Sequence, residues 1–226
     1  MHNWKQLKDY CADLKMLASE AIRARKNAQD IGTIFPCTYS TGAVVAEHIT
    51  APATTAEDKD PVLYVLEGGC GTGSMTRAFI DKLESLGVKY HLDIVDINPE
   101  LCAYARKKFK DNHHVTVHAM SLTDFTSTHK YHHILSSVPL ESLPAALGRE
   151  IIAKYKSLLR EDGTITGVTY GWLNALKKKV LSWCFISEKE SKVREANMQL
   201  LGALVKKTHG WNFPPFIQVY RTKARS

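Results

Sequence analysis

Apolar and polar positions follow two rhythms along this chain, and the rhythm changes near residue 60. Over residues 3–28, Trp4, Leu7, Cys11, Leu14, Ala18 and Ala21/Ile22 recur every three or four positions among lysines and arginines, which predicts an amphipathic helix with that stripe inward. Ile31-Gly-Thr-Ile-Phe-Pro36 ends it, a short helix is expected from Thr41 to Ile49, and Ala51–Asp60 reads as a loop rich in Thr, Asp and Pro. Short apolar runs then alternate with helix-period segments. Val62–Leu66, Tyr90–Val95, Val115–Ala119, Ile134–Val138 and Thr164–Thr169 read as strands. Helices are expected from the turn after the first strand to near Gly87, from Pro99 to about Lys110, and from Pro144 to Leu159, with Glu161-Asp-Gly163 turning the chain. This alternation predicts βαβ units around a mostly parallel sheet, an α/β fold. Beyond residue 170 two helical stretches precede the extended runs Phe213-Pro-Pro-Phe216 and Ile217–Tyr220.

The turn Val65-Leu-Glu-Gly-Gly-Cys-Gly-Thr-Gly73 carries the most informative pattern, with glycines at 69, 71 and 73 between a strand and a helix. Glycine lets the backbone turn sharply there and lets a ligand approach the helix N-terminus. A dinucleotide fingerprint beginning at Gly69 and Gly71 would place its third glycine at Ser74. Glu67 would also repel a pyrophosphate, whereas it would favour the ammonium and sulfonium of S-adenosylmethionine. Asp96, at the end of the second strand, is placed to take both ribose hydroxyls. The expected cofactor residues are Glu67, Gly68, Gly69, Cys70, Gly71, Gly73, Asp96, Ile97, Met120, Ser121 and Ser136, with Met120 and Ser121 on the adenine.

On these residues the chain resembles the class I S-adenosylmethionine-dependent methyltransferases over roughly 62–170. The resemblance implies a Rossmann-like, mostly parallel seven-stranded sheet flanked by helices, here with an N-terminal helical extension or lid (1–60) before the methyltransferase domain (61–226). That family's third strand usually ends on an acidic or polar adenine contact; here the stretch is Ala119-Met120-Ser121. The fourth strand ends in Ser136-Ser-Val-Pro-Leu140, so Ser137, Val138, Pro139 and Leu140 stand where methylases of base amines carry Asn/Asp-x-Pro-aromatic. With neither amide nor stacking ring, a nucleobase fits poorly, and neither DNA nor RNA is the expected partner. Ser-x-x-Pro-Leu instead resembles the bacterial phospholipid N-methyltransferases, as do Ile31–Pro36 and Asn212-Phe-Pro-Pro-Phe216. That resemblance implies methylation of a phospholipid amine, phosphatidylethanolamine towards phosphatidylcholine, at a membrane surface. Tyr39, Glu141 and Tyr170 are candidates to orient or deprotonate the amine.

Charge adds to this picture through its placement. The chain of 226 residues is +7 overall, yet residues 171–226 alone carry 11 basic and 3 acidic side chains. Trp172–Phe185 combines two tryptophans with Lys177, Lys178 and Lys179, a composition suited to an anionic membrane surface and equally to a core helix with a basic outer face. No apolar run is long enough to span a bilayer. Five scattered cysteines without a C-x-x-C pair suggest reduced thiols, hence a cytoplasmic protein at the inner face of the membrane. Six of ten histidines lie between His113 and His133, with no completed metal shell, so no metal is expected. Two other readings remain open: a methyltransferase of RNA or protein, and a non-catalytic S-adenosylmethionine-binding peripheral membrane protein.

Overall fold

The computed structural model describes residues 8, 11–16, 18–19, 37–53, 61–138, 140, 143–169, 208–210 and 217–223. Helix α1 is described at residues 11–16 and 18–19. It is followed by α2 (Tyr39–Ala46), β1 (Leu63–Gly68), α3 (Ser74–Ser85), β2 (Tyr90–Asp96), α4 (Pro99–Lys108), β3 (Val115–Ala119), β4 (Tyr131–Ser136), α5 (Ala145–Leu158), β5 (Leu159–Thr169), β6 (Thr208–Gly210) and β7 (Ile217–Lys223). The sheet runs β3-β2-β1-β4-β5-β7-β6. The first five strands pair in parallel, and β7 is antiparallel to both β5 and β6. Six strands of five to eleven residues form the body of the sheet; the seventh expected strand is reached only by counting the three residues of β6.

Period-two burial builds the two layers around this sheet. Leu63 and Val65 of β1, Leu92 and Ile94 of β2 and Leu135 of β4 share one core with Val45 and Ala46 of α2, Phe79, Ile80 and Leu83 of α3, and Ala105 of α4. Leu66, Val95 and Ile134 enter the other, against Ile151, Ile152 and Tyr155 of α5. The β3–β4 connection, residues 120–130, contains no helix. Its Leu122 and Phe125 pack into the second core themselves.

Several boundaries depart from the sequence expectation for visible reasons. Thr38 accepts a hydrogen bond from the Thr41 amide, which starts α2 at Tyr39 rather than Thr41. Asn98 accepts from the Glu100 and Leu101 amides and Pro99 follows it, so α4 begins where expected. β4 starts three residues early and stops at Ser136. β5 starts at Leu159 and runs through Glu161-Asp-Gly163, the expected turn. Gly163 is needed there because a Cβ would stand 2.8 Å from Leu159 Cδ1 and 3.0 Å from the Tyr131 carbonyl. The β4–β5 register shifts between Tyr131 and His133, which lets the two strands pass at that closeness. In α1 the expected inward stripe is not what buries: Cys11 and Ala18 are exposed, while Asp13 is 2% exposed.

Two of the clustered histidines, His118 and His129, join His91 around a carboxylate. Asp93 on β2 is buried, with His118 Nε2 at 2.6 Å, Tyr131 Oη donating at 2.7 Å, and His91 and His129 Nε2 at 3.3 and 3.5 Å. His129 stacks on Tyr64 with ring centroids 4.0 Å apart. His118, Tyr131 and His91 hold the Asp93 carboxyl below its ordinary range despite burial, which acts to raise it.

Candidate functional site

Strand order reverses between β1 and β4, where sheets of this kind open a crevice beyond their carboxyl ends. The glycine turn leaves β1 at that point, and its glycines serve different ends. A Cβ on Gly68 would lie 2.1 Å from Tyr155 Oη, one on Gly69 2.8 Å from Val138 Cγ2, and one on Gly73 2.6 Å from Phe109 Cε2. Those positions are closed by the protein's own packing. At Gly71, with φ +53°, a Cβ would meet nothing within 4 Å. Gly71 is therefore where the turn faces open space.

Two carboxylates accompany this turn: Asp96 bonds it directly, and Glu67 lies in the strand that leads into it. Asp96 Oδ2 accepts from the Gly71 amide at 2.8 Å and Oδ1 from the Asn98 amide at 2.9 Å. Each oxygen keeps further acceptor capacity. Burial pushes the Asp96 carboxyl up, and the backbone amides pull against that shift. Glu67 is fully buried, and its Oε2 accepts from Thr76 Oγ1 at 2.6 Å. Its Oε1 is buried without a hydrogen-bond partner among the described residues. Burial raises the Glu67 carboxyl from 4.5 to about 8, against the smaller opposing effect of Thr76. Cys70 is also buried, which pushes its thiol up. Ile97 and Met120, just beyond β2 and β3, are the exposed large hydrophobics of the described chain at 56% and 39%. The Met120 amide donates to the Asp96 carbonyl at 3.0 Å, joining the two rims.

The remaining expected residues divide. Ser121 opens a turn, its hydroxyl 2.7 Å from Thr123 Oγ1. Ser136 is 1% exposed and accepts from Tyr155 Oη at 3.1 Å beneath the rim. Ser137 and Val138 stand at the rim: the Ser137 amide donates to the Gly68 carbonyl, and Val138 packs on Gly69. Leu140 turns inward and belongs to the second core. Tyr39 donates to Asp81 Oδ2 at 2.9 Å, two turns along α3 from its rim end, which removes it from the acceptor side. Pro139, Glu141, Tyr170, the stretches 31–36 and 212–216 and the basic stretch 172–185 lie outside the described residues.

Sequence reasoning missed the polar residues that brace the turn. Thr76 could have been sought as the helix-borne partner a buried Glu67 requires. Asp13, Ser74, Tyr104 and Lys108, which meet around one carboxylate, carry no local pattern linking them.

Residues 65–163 match the family model described as a methyltransferase domain. The N-methyltransferase NodS from Bradyrhizobium japonicum WM9, solved with S-adenosyl-L-homocysteine, superposes with a TM-score of 0.57 at 16% identity, over 96% of this chain and 99% of that one. Magnesium protoporphyrin IX methyltransferase from Synechocystis PCC 6803 gives 0.52 at 18% identity, over 79% of each chain. Among curated proteins, the non-reducing polyketide synthase sorB of Penicillium rubens is 40% identical over 55 residues, 24% of this chain; the chain spans about 2% of that relative's length. The matched segment, 99 of the 226 residues, thus reads as a methyltransferase domain, and the solved relatives share its fold. The molecule to test against this site is S-adenosylmethionine, since NodS was solved with S-adenosyl-L-homocysteine. The residues present fit that molecule: room at Gly71, an unpartnered buried carboxylate oxygen for a cation, acceptor capacity on Asp96, and apolar side chains at Ile97 and Met120.

Proposed function

We propose that the protein methylates an amine nitrogen, and that the acceptor is a phospholipid headgroup presented at an anionic membrane surface. The observation that carries the methyl-transfer reading is the unpartnered, buried Oε1 of Glu67, four residues before the one open glycine of the turn. When bound, S-adenosylmethionine supplies a methyl group on a sulfonium, an electrophile that needs no covalent help from the protein. Glu67 would balance its cationic end, Asp96, which already fixes Gly71, would hold the ribose, and Ile97 with Met120 would flank the adenine. Ser137 and Val138 form the acceptor wall. An acceptor amine at this site would need its lone pair free, its ammonium proton having passed to solvent before transfer. The chain's part is alignment of donor and acceptor and exclusion of water.

The amine reading is supported by coverage of nearly the full length of an N-methyltransferase. The lipid reading is supported by the resemblance at Ser137–Leu140, 31–36 and 212–216 and by the basic excess after residue 170. Among the described residues no helix is long and apolar enough to cross a membrane. A second reading, methylation of a polyketide carbon, is favoured by the 40% identical segment of the polyketide synthase. Radiolabelled S-adenosylmethionine, incubated separately with phosphatidylethanolamine vesicles containing anionic lipid, bulk RNA, bulk protein and a β-ketoacyl thioester, discriminates these. Label in the lipid amine is expected; label in the thioester alone supports the second reading, and label in RNA or protein overturns both.

A further inference from the structure

Asp13 is the acid that the apolar stripe of α1 does not account for. Its carboxylate, 2% exposed, accepts from Ser74 Oγ at 2.5 Å, from Tyr104 Oη at 3.1 Å and from Lys108 Nζ at 2.9 and 3.0 Å. Lys108 Nζ also donates to the Thr72 carbonyl at 3.1 Å, and Thr72 Oγ1 lies 3.2 Å from Ser74 Oγ. One carboxylate therefore joins α1, α4 and the segment Thr72–Ser74, which begins one residue after the open Gly71. Asp96 grips the same turn from β2 through the Gly71 amide. A buried ion pair contributes little net stability compared with apolar packing, because desolvation offsets its attraction. What it supplies is fixed direction, and here the direction is imposed on the backbone that must admit the cofactor.

We propose that Asp13 is a positioning residue for cofactor binding: through Ser74 and Lys108 it holds Thr72–Ser74 in the conformation that leaves Gly71 open, which makes α1 part of the cofactor site. The inference rests on the methyltransferase reading above. Asp13 touches the turn and its braces, and its effect on the cofactor passes through them. Losing it relaxes the turn, and a misplacement of about 1 Å is enough to weaken binding substantially.

The test is calorimetric titration of S-adenosylhomocysteine into the full chain and into Asp13→Asn, Lys108→Met and the double variant, alongside thermal unfolding of each ligand-free protein. Each single change is expected to raise Kd about tenfold. The double variant should be no weaker than the poorer single, since both remove one device. Ser74→Ala, which keeps the ion pair, should raise Kd by a smaller factor and serves if the others do not fold. Kd within twofold of the parent in folded variants, with only the unfolding temperature lowered, overturns the proposal and leaves Asp13 as a fold staple. A parent chain that binds no S-adenosylhomocysteine overturns the cofactor reading itself, a result distinguishable because it appears before any substitution.

Discussion

Glu67 and Asp93 are buried acids on neighbouring strands, in adjoining rows of one parallel register: Leu66 pairs with Asp93 and Glu67 with Ile94. Their surroundings are opposite. Asp93 collects His118, Tyr131, His91 and His129, and the first three lower its pKa against the burial that raises it. Glu67 has Thr76 on one oxygen and, among the described residues, nothing on the other, and burial raises it to about 8. A saturated buried carboxylate has finished its chemistry within the fold. An under-satisfied one of the same depth costs free energy until something positive arrives. The contrast separates a structural from a functional acid more sharply than burial or residue type.

The comparison breaks most visibly at Gly71. Gly71→Val fills the open space at the turn and strains its left-handed backbone while leaving Asp93 untouched, so cofactor binding should be lost, at least a hundredfold in Kd by calorimetry, in a protein whose fold is checked by circular dichroism. Unchanged affinity would remove Glu67 from the functional side. Next in size, Asp93→Asn strands its donors and should cost about 2 kcal/mol in urea unfolding while leaving cofactor affinity unaltered. The pH signs also differ. Asp93's lowered pKa gives stability that is present at neutral pH and lost only as pH falls through its lowered value, below the ordinary 3.8. Glu67's raised pKa makes the ligand-free protein lose stability as pH rises from 4.5 through about 8, where the folded state must give up a proton. Glu67→Gln should flatten that decline. The subtlest effect follows from it: at pH 7 a cation beside Glu67 expels its proton, so calorimetry in two buffers of different ionisation enthalpy should register about one proton released, and none in Glu67→Gln, whose affinity falls about tenfold.

How much of this was legible depends on how local each cause is. β3 and the start of α4 follow from patterns a few residues long, Asn98-Pro99 above all. The glycine turn and its two carboxylates were legible as a site because ligand chemistry was written at fixed spacing. The division of labour among the glycines was not, since Tyr155, Val138 and Phe109, which close three of them, lie 87, 69 and 36 residues away. Glu161-Asp-Gly163 misled because turn residues are also what a close strand crossing needs. Asp13 went unread for the opposite reason: an acid between the apolar positions of an amphipathic helix normally points to solvent, and its partners sit 61 to 95 residues downstream.

The antiparallel strand also bears on how the chain comes to be made. β5 is complete at residue 169, but its outer neighbour is β7, which begins only at residue 217. During synthesis the parallel strands can therefore assemble while the backbone groups of β5 still face outward, an exposed pairing edge of the kind that invites association between nascent chains. Closing it requires a pairing between segments some fifty residues apart, made after the cofactor turn already exists. The ligand-binding end of this molecule and its aggregation-prone edge are thus completed at different moments, and a chain halted between them would carry the first without protection of the second.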